Sequence, residues 1–410
     1  MQNMMGRIGL RSLWKTLMTQ STCTQFRYQR NWMAAVVAAV ALGTLVLSPV
    51  ALNAEGASLV THTSGNGKTA DAVVAYWTPE RMASAVPINL GRPDTGAIRG
   101  SASRAMASGT PGLAGGYDPV AKQMIQPNGA HFPDAKQAVA GPQNGGYPGP
   151  NGTFYYVATA AAYKVYPIAT VGKLYGHDPV TGGNFQCTAS VTVGNGNVLN
   201  VIWTAGHCVA NGGQSYFYDN WLFCPQLNKK AEPVGCWATN GNATVFTAWY
   251  SNGDLTRDEG VILLNSTGTK KAENVASVTG GLGLAWNWGD VHWFHYGYPC
   301  VGVSGVTPNW DCTQIVETAA EFRYSVNIGG SGPDVNSWGS AQTEGASGSA
   351  VQLESGFNYG GGNWINSNVS FYFTSGPNGN EHGYELQGPY YDDTVCSALW
   401  APATGYTGGC

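Results

Sequence analysis

From about residue 151 the chain alternates short apolar runs with Gly/Asn-rich turns: "KVYPIATVGKLYG", "ASVTVGNGNVLNVIWTA", "GVILL", "HWFHYGYP", "GSAVQLE", "NWINSNVSFYF". Runs of that length, punctuated that often, describe many short antiparallel strands. There is no sustained helical periodicity and no fixed-period repeat. Composition agrees: 57 glycines supply the turns, and charged residues are only 11%, too few for long salt-laced helices. With 43% hydrophobic residues and 14 tryptophans, the chain can bury a sizeable core. The stretch "TVGNGNVLNVIW" is a hairpin candidate with Asn195-Gly196 at its turn.

The cysteines are placed unevenly. One, Cys23, is near the start; the other eight (Cys187, Cys208, Cys224, Cys236, Cys300, Cys312, Cys396, Cys410) all follow residue 186. An even number reads as four disulfides if the chain is exported. Export is expected from residues 1–54, where a front with five basic and no acidic side chains precedes an apolar run and a small-residue end, the pattern of a signal peptide. Cys187 and Cys208 flank the hairpin, so a bond between them would clip it, worth about 3 kcal/mol in the chain-entropy model. Proximity pairs Cys224 with Cys236, Cys300 with Cys312, and Cys396 with Cys410. No CxxC spacing exists, so no metal site is expected.

Residues 55–150 are Gly-, Ser- and Pro-rich. They read as a pro-region or linker with one short helix, for which Thr78 is the N-cap, Pro79 the first residue and Pro87 the stop. The expected organisation is therefore signal peptide (1–54), pro-region or linker (55–150) and one all-β domain (151–410). Beyond residue 54 there are 15 basic against 24 acidic side chains. Nucleic acid is thereby excluded as a partner, since no basic patch is left to displace counterions from phosphate. No later run is transmembrane. The chain is expected to be secreted, without stable membrane association once the signal is removed, monomeric and without cofactor.

Three boxes carry chemistry. "VIWTAGHC" ends an apolar strand in His207, next to a cysteine that would hold its loop. "TRDEGVILL" brings Asp258 into a strand from the loop side, where a buried carboxylate could receive an imidazole N–H. Asp254 and Glu259 are its rivals; the former reads as an exposed turn residue and the latter points to the opposite strand face. "TEGASGSAV" sets Ser347 among small residues, so that the N–H groups of Gly345 and Ser347 can converge on one spot. Ser349 is the rival serine. The order His, Asp, Ser, with gaps of 51 and 89 residues, supplies a base, an orienting acid and a nucleophile.

"TAGHC" resembles the histidine box of trypsin/chymotrypsin-like serine peptidases, "DEGVILL" the aspartate strand, and "GASGSAV" the serine box of the glutamyl-endopeptidase-like secreted branch. "YPIATVGKLYG", "YGYP" and "WINSN" resemble its opening strand, the strand before the serine box and the strand that pairs with substrate backbone. "YWTPERM" resembles a segment upstream of such peptidases. The resemblance implies two six-stranded antiparallel β-barrels with the triad between them, and a secreted serine endopeptidase acting on protein or peptide substrates. It further implies an oxyanion hole at Gly345 and Ser347, and substrate contacts at Ala341, Ile365, Asn366 and Ser367.

Departures from the family pattern matter. Ala346 stands where many members carry an aspartate that pairs with a new N-terminal amine. Ala341 stands where a pocket aspartate would be, and "GGNWINSNVS" has no histidine. The expectation is an uncharged residue before the scissile bond. Two other readings use the same residues: a non-catalytic double-barrel binding module, and an acyl or ester hydrolase.

Overall fold

The computed structural model describes residues 57–410, apart from 64–68, 90, 94–97, 100–108, 126–153, 158–161, 289–292, 303–308, 341, 354–362 and 376–384. The expected signal peptide lies outside the described residues.

In chain order, the upstream part contributes β1 (Leu59–Thr63), α1 (Ala70–Tyr76), α2 (Pro79–Ser84), β2 (Val86–Pro87), β3 (Gly91–Pro93) and β4 (Gly112–Asp118). The first barrel follows: β5 (Val171–His177), β6 (Asn184–Thr192), β7 (Val201–Thr204), β8 (Asp219–Pro225), β9 (Trp237–Phe246) and β10 (Gly260–Leu264). After β11 (Gly281–Trp286) comes the second set: β12 (Trp293–Gly297), β13 (Val316–Asn327), β14 (Val335–Gly339), β15 (Ala350–Leu353), β16 (Trp364–Asn368), β17 (Tyr372–Ser375) and β18 (Glu385–Pro389).

Antiparallel ladders run β5–β6–β7–β10–β9–β8 and back to β5, closing a six-stranded barrel. Closure leaves no free edge, and the interior is filled by side chains including Leu174, Val191, Ile202, Phe223, Trp237 and Ile262. In the second set the ladders are β12–β13–β14–β18 on one side and β12–β15–β16 on the other. The Phe371–Gln387 bridge, just past the end of β16, links the two arms into a second ring of six. The fold is chymotrypsin-like, as the sequence implied.

The upstream segment corrects one expectation. In place of a linker with one helix, its described residues hold two helices and strands joined to the barrels. β1 pairs antiparallel with β9, β2 pairs parallel with β6, and β4 pairs antiparallel with β11. Helix α1 is capped by the Thr69 hydroxyl, which accepts from Ala72 N at 3.2 Å, and it buries Val73. Val73 and Trp77 pack on Tyr175, Leu222 and the Cys224–Cys236 bond. Thr78 caps α2, which starts at Pro79. The strands were not legible because their hydrogen bonds come from barrel edges far along the chain, not from local periodicity.

Disulfides join Cys187–Cys208, Cys224–Cys236, Cys300–Cys312 and Cys396–Cys410. Among the described residues, no helix is long and apolar enough to cross a membrane.

Candidate active site

His207 sits in a one-turn 3-10 segment, Gly206–Cys208, directly after β7. The hairpin β6–β7 delivers it, and the Cys187–Cys208 bond holds the exit of the hairpin. Asp258 follows the Leu255–Arg257 turn and precedes β10, which is β7's neighbour in the barrel. The pairing of those two strands brings the two residues together. Asp258 is fully buried and His207 is 4% exposed. The Asp258 carboxylate accepts from His207 twice: the backbone N–H reaches Oδ1 at 2.7 Å, and ring Nδ1 lies 2.7 Å from Oδ2. A carboxylate can only accept, so Nδ1 carries a proton; in the neutral imidazole that leaves the lone pair on Nε2.

Two further groups hold Asp258. The Ser370 hydroxyl donates to Oδ2, and Asn368 Nδ2 donates to the Asp258 backbone carbonyl at 3.1 Å. Asn368 is itself held by the Tyr391 hydroxyl at 2.6 Å, and that hydroxyl accepts from Trp203 Nε1 at 2.6 Å. Sequence reasoning missed both residues, and Asn368 and Ser370 are fully buried. The legible signal was their period-2 spacing at the end of an apolar strand.

The rival acids have other work. Asp254 is half-buried, not an open turn residue; it caps the Leu255–Arg257 turn and accepts from Thr256 and Ser331. Glu259 is fully buried with neither carboxyl oxygen hydrogen-bonded, and burial pushes its carboxyl well above the usual range.

Ser347 comes from the second barrel, in the turn before β15. Tight backbone bonds shape that turn: Ala346 N to Thr343 O at 2.9 Å, Gly348 N to Val369 O at 2.8 Å, and Ser349 N to Ala346 O at 2.8 Å. Two glycines are required there. Gly345 (φ +93°) has Cys300 Sγ 2.4 Å from where a Cβ would sit, and Gly348 (φ +79°) has Thr204 Oγ1 at 2.1 Å. The first barrel grips the same turn. Thr188 N donates to Ser347 O at 2.8 Å, Thr188 Oγ1 donates to Gly345 O at 2.9 Å, and Cys208 Sγ lies 3.8 Å from Ser347 O. Ser347 is thus clamped against the residue that follows His207.

The reactive atoms are left unengaged. Ser347 Oγ and His207 Nε2 are buried without a hydrogen-bond partner, and are not bonded to each other. The N–H groups of Gly345 and Ser347 have no acceptor among the described residues, while those of Ala346, Gly348 and Ser349 do. Such an arrangement suits a nucleophile, a base oriented by an acid, and a pair of donors for a developing oxyanion.

Of the residues expected from sequence to contact substrate, three lie within one strand. Ile365, Asn366 and Ser367 are buried inside β16, which pairs with β15 and with β11. Asn366 Nδ2 donates to Ala285 O at 3.0 Å, and the Ser367 hydroxyl donates to Pro389 O at 2.7 Å. Their side chains are spent on the fold. Ala341 lies outside the described residues. An open cleft of about 220 Å³ borders His207 instead, lined also by Ala210, Trp249 and Leu255 of the first barrel and by Ile88 and Arg92 of the upstream segment. Cys187, His207 and Cys208 come close enough to suggest a metal site, but both sulfurs are tied in one disulfide and offer no thiolate.

No protein-family model matches the chain, and no curated protein matches it. Solved structures do. Its structural neighbours are serine proteases of the chymotrypsin fold. A thermostable serine protease from an extremophilic microorganism is 22% identical with a TM-score of 0.45, covering 58% of this chain and 97% of its own. The protease Anisep from Arthrobacter nicotinovorans is 21% identical (TM-score 0.46; 58% and 98% covered). A Glu endopeptidase is 16% identical (TM-score 0.44; 63% and 99% covered). These serine proteases are matched almost whole, whereas more than a third of this chain lies outside each match.

Proposed function

We propose that the chain is a secreted serine endopeptidase. His207 Nε2 takes the Ser347 proton as the hydroxyl attacks the scissile carbonyl, then returns it to the leaving amine. Asp258 fixes the imidazole tautomer and steadies the imidazolium. The Gly345 and Ser347 N–H groups receive the oxyanion, and water completes the cycle by hydrolysing the acyl-enzyme. One observation carries this reading: a buried imidazole–carboxylate pair sits next to Cys208, whose sulfur lies 3.8 Å from the Ser347 carbonyl, in a serine turn whose hydroxyl and two N–H groups have no partner among the described residues.

In the same reading, residues 1–54 direct export and the segment up to 150 is a pro-region. Four disulfides suit an oxidising compartment. The test is covalent labelling with a fluorophosphonate, coupled to casein hydrolysis. Labelling that vanishes in Ser347→Ala and His207→Ala is expected. A folded protein that never labels is instead a binding module, and one that labels but cleaves only short-chain esters is an esterase.

A further inference from the structure

The upstream segment borders the cleft beside His207, the base of the proposed peptidase. Val86 and Pro87 pair with Phe185 and Gln186 on β6. Ile88 and Arg92 then line the cleft beside His207. Strand β3 pairs with β17 in register Gly91 with Tyr372, Arg92 with Phe373, and Pro93 with Ser375. β17 begins two residues after Ser370, whose hydroxyl touches Asp258. The edge that β3 covers is therefore the strand edge leading away from the catalytic acid, a site for an extended peptide to add as a strand.

The direction of β3 is telling. It pairs parallel with β17, so its chain runs away from the Ser370 end as residue number rises. A peptide whose acyl half lay on this edge, with its scissile carbonyl at Ser347, would run the opposite way. Two carbonyls at the start of β3 are also engaged within the segment. The Arg92 guanidinium donates to Asn89 O at 3.0 Å and to Gly91 O at 2.8 Å, and Gly91 N donates to Asn89 Oδ1 at 2.7 Å. Meanwhile the N–H groups of Gly345 and Ser347 have no acceptor among the described residues. The segment borders the cleft without placing a described carbonyl on those donors.

We infer that residues 86–89 and 91–93 form an autoinhibitory strap, lying reversed on the substrate-binding edge, and that extended peptides bind β17 only when the strap lifts. This rests on the peptidase reading above. The strap holds the protein closed through an equilibrium, so weakening it raises apparent substrate affinity by the fraction of open molecules gained.

The test uses the uncut full chain with a fluorophosphonate and a set of unstructured peptides. The double variant Asn89→Ala/Arg92→Ala should gain about tenfold in kcat/KM, chiefly through KM. A synthetic peptide spanning 86–93 should inhibit that variant competitively. As a second probe, Gly91→Cys with Tyr372→Cys should lock the strap when oxidised and abolish labelling, with recovery on mild reduction. Equal hydrolysis by parent and double variant, no inhibition by the peptide, or a locked form that labels at the parent rate overturns the strap alone. A folded double variant that never labels sinks the peptidase reading, and the strap with it.

Discussion

The two barrels treat their reactive groups in opposite ways. On the first, Asp258 is saturated: His207 bonds it twice, and Ser370 and Asn368 reach across from the second barrel. On the second, the Ser347 hydroxyl and the N–H groups of Gly345 and Ser347 have no partner among the described residues. The contrast separates two requirements. A base must be fixed in tautomer and direction before substrate arrives, so its partners are internal. In the proposed peptidase, a nucleophile and its oxyanion donors wait for a partner that the substrate brings.

If that division is real, the largest effect comes from the reactive atoms themselves. Ser347→Ala or His207→Ala should cut kcat by about six orders of magnitude in peptide hydrolysis. Asp258→Asn, which keeps shape but offers the wrong tautomer, should cost about 10⁴-fold. A loss of only a few-fold in Asp258→Asn would show that the saturated side is scaffolding. Next is the clip. Replacing Cys187 and Cys208 by serine should lower stability by about 3 kcal/mol in urea unfolding, with activity falling further than stability explains because His207 loses its anchor. Ser370→Ala removes one charge-assisted bond, worth about 1.5–3 kcal/mol. It should lower kcat with little change in KM; an unchanged kcat would mean the third bond to Asp258 is idle.

The smallest effect sharpens the comparison through pH. His295, buried in the second barrel beside Trp338 and Ser340, is held neutral because burial lowers its pKa to about 3. Between the ordinary histidine value of about 6.5 and that value, the unfolded chain binds a proton that the folded chain refuses. Stability is thus full above about pH 6.5 and declines below it, by at most about 1.4 kcal/mol per pH unit from this group. Urea titrations at pH 7 and pH 5 should show a smaller decline in His295→Gln than in the parent; equal declines would contradict it.

The parts visible in the sequence were those with local chemical signatures. His207 was betrayed by the strand that ends at it and the cysteine beside it, and Ser347 by the small residues its turn demands. Asp258 stood out from Asp254 and Glu259 through its place at a strand entrance. What escaped notice depends on contacts between distant segments. "WINSN" looks like an available strand, but β16 pairs with both β15 and β11, and the edge that β3 joins lies a few residues later at β17. Likewise β1, β2 and β4 borrow their ladders from β9, β6 and β11, which no periodicity in a Gly/Ser-rich stretch could announce.

That borrowing bears on maturation. Strands β1 and β4 shield backbone donors and acceptors of β9 and β11 that would otherwise face water, ready to recruit a stranger's strand. A protease nicking the chain between residues 94 and 111 should therefore leave a two-piece molecule, its severed front still zipped to the body through β1 and β2.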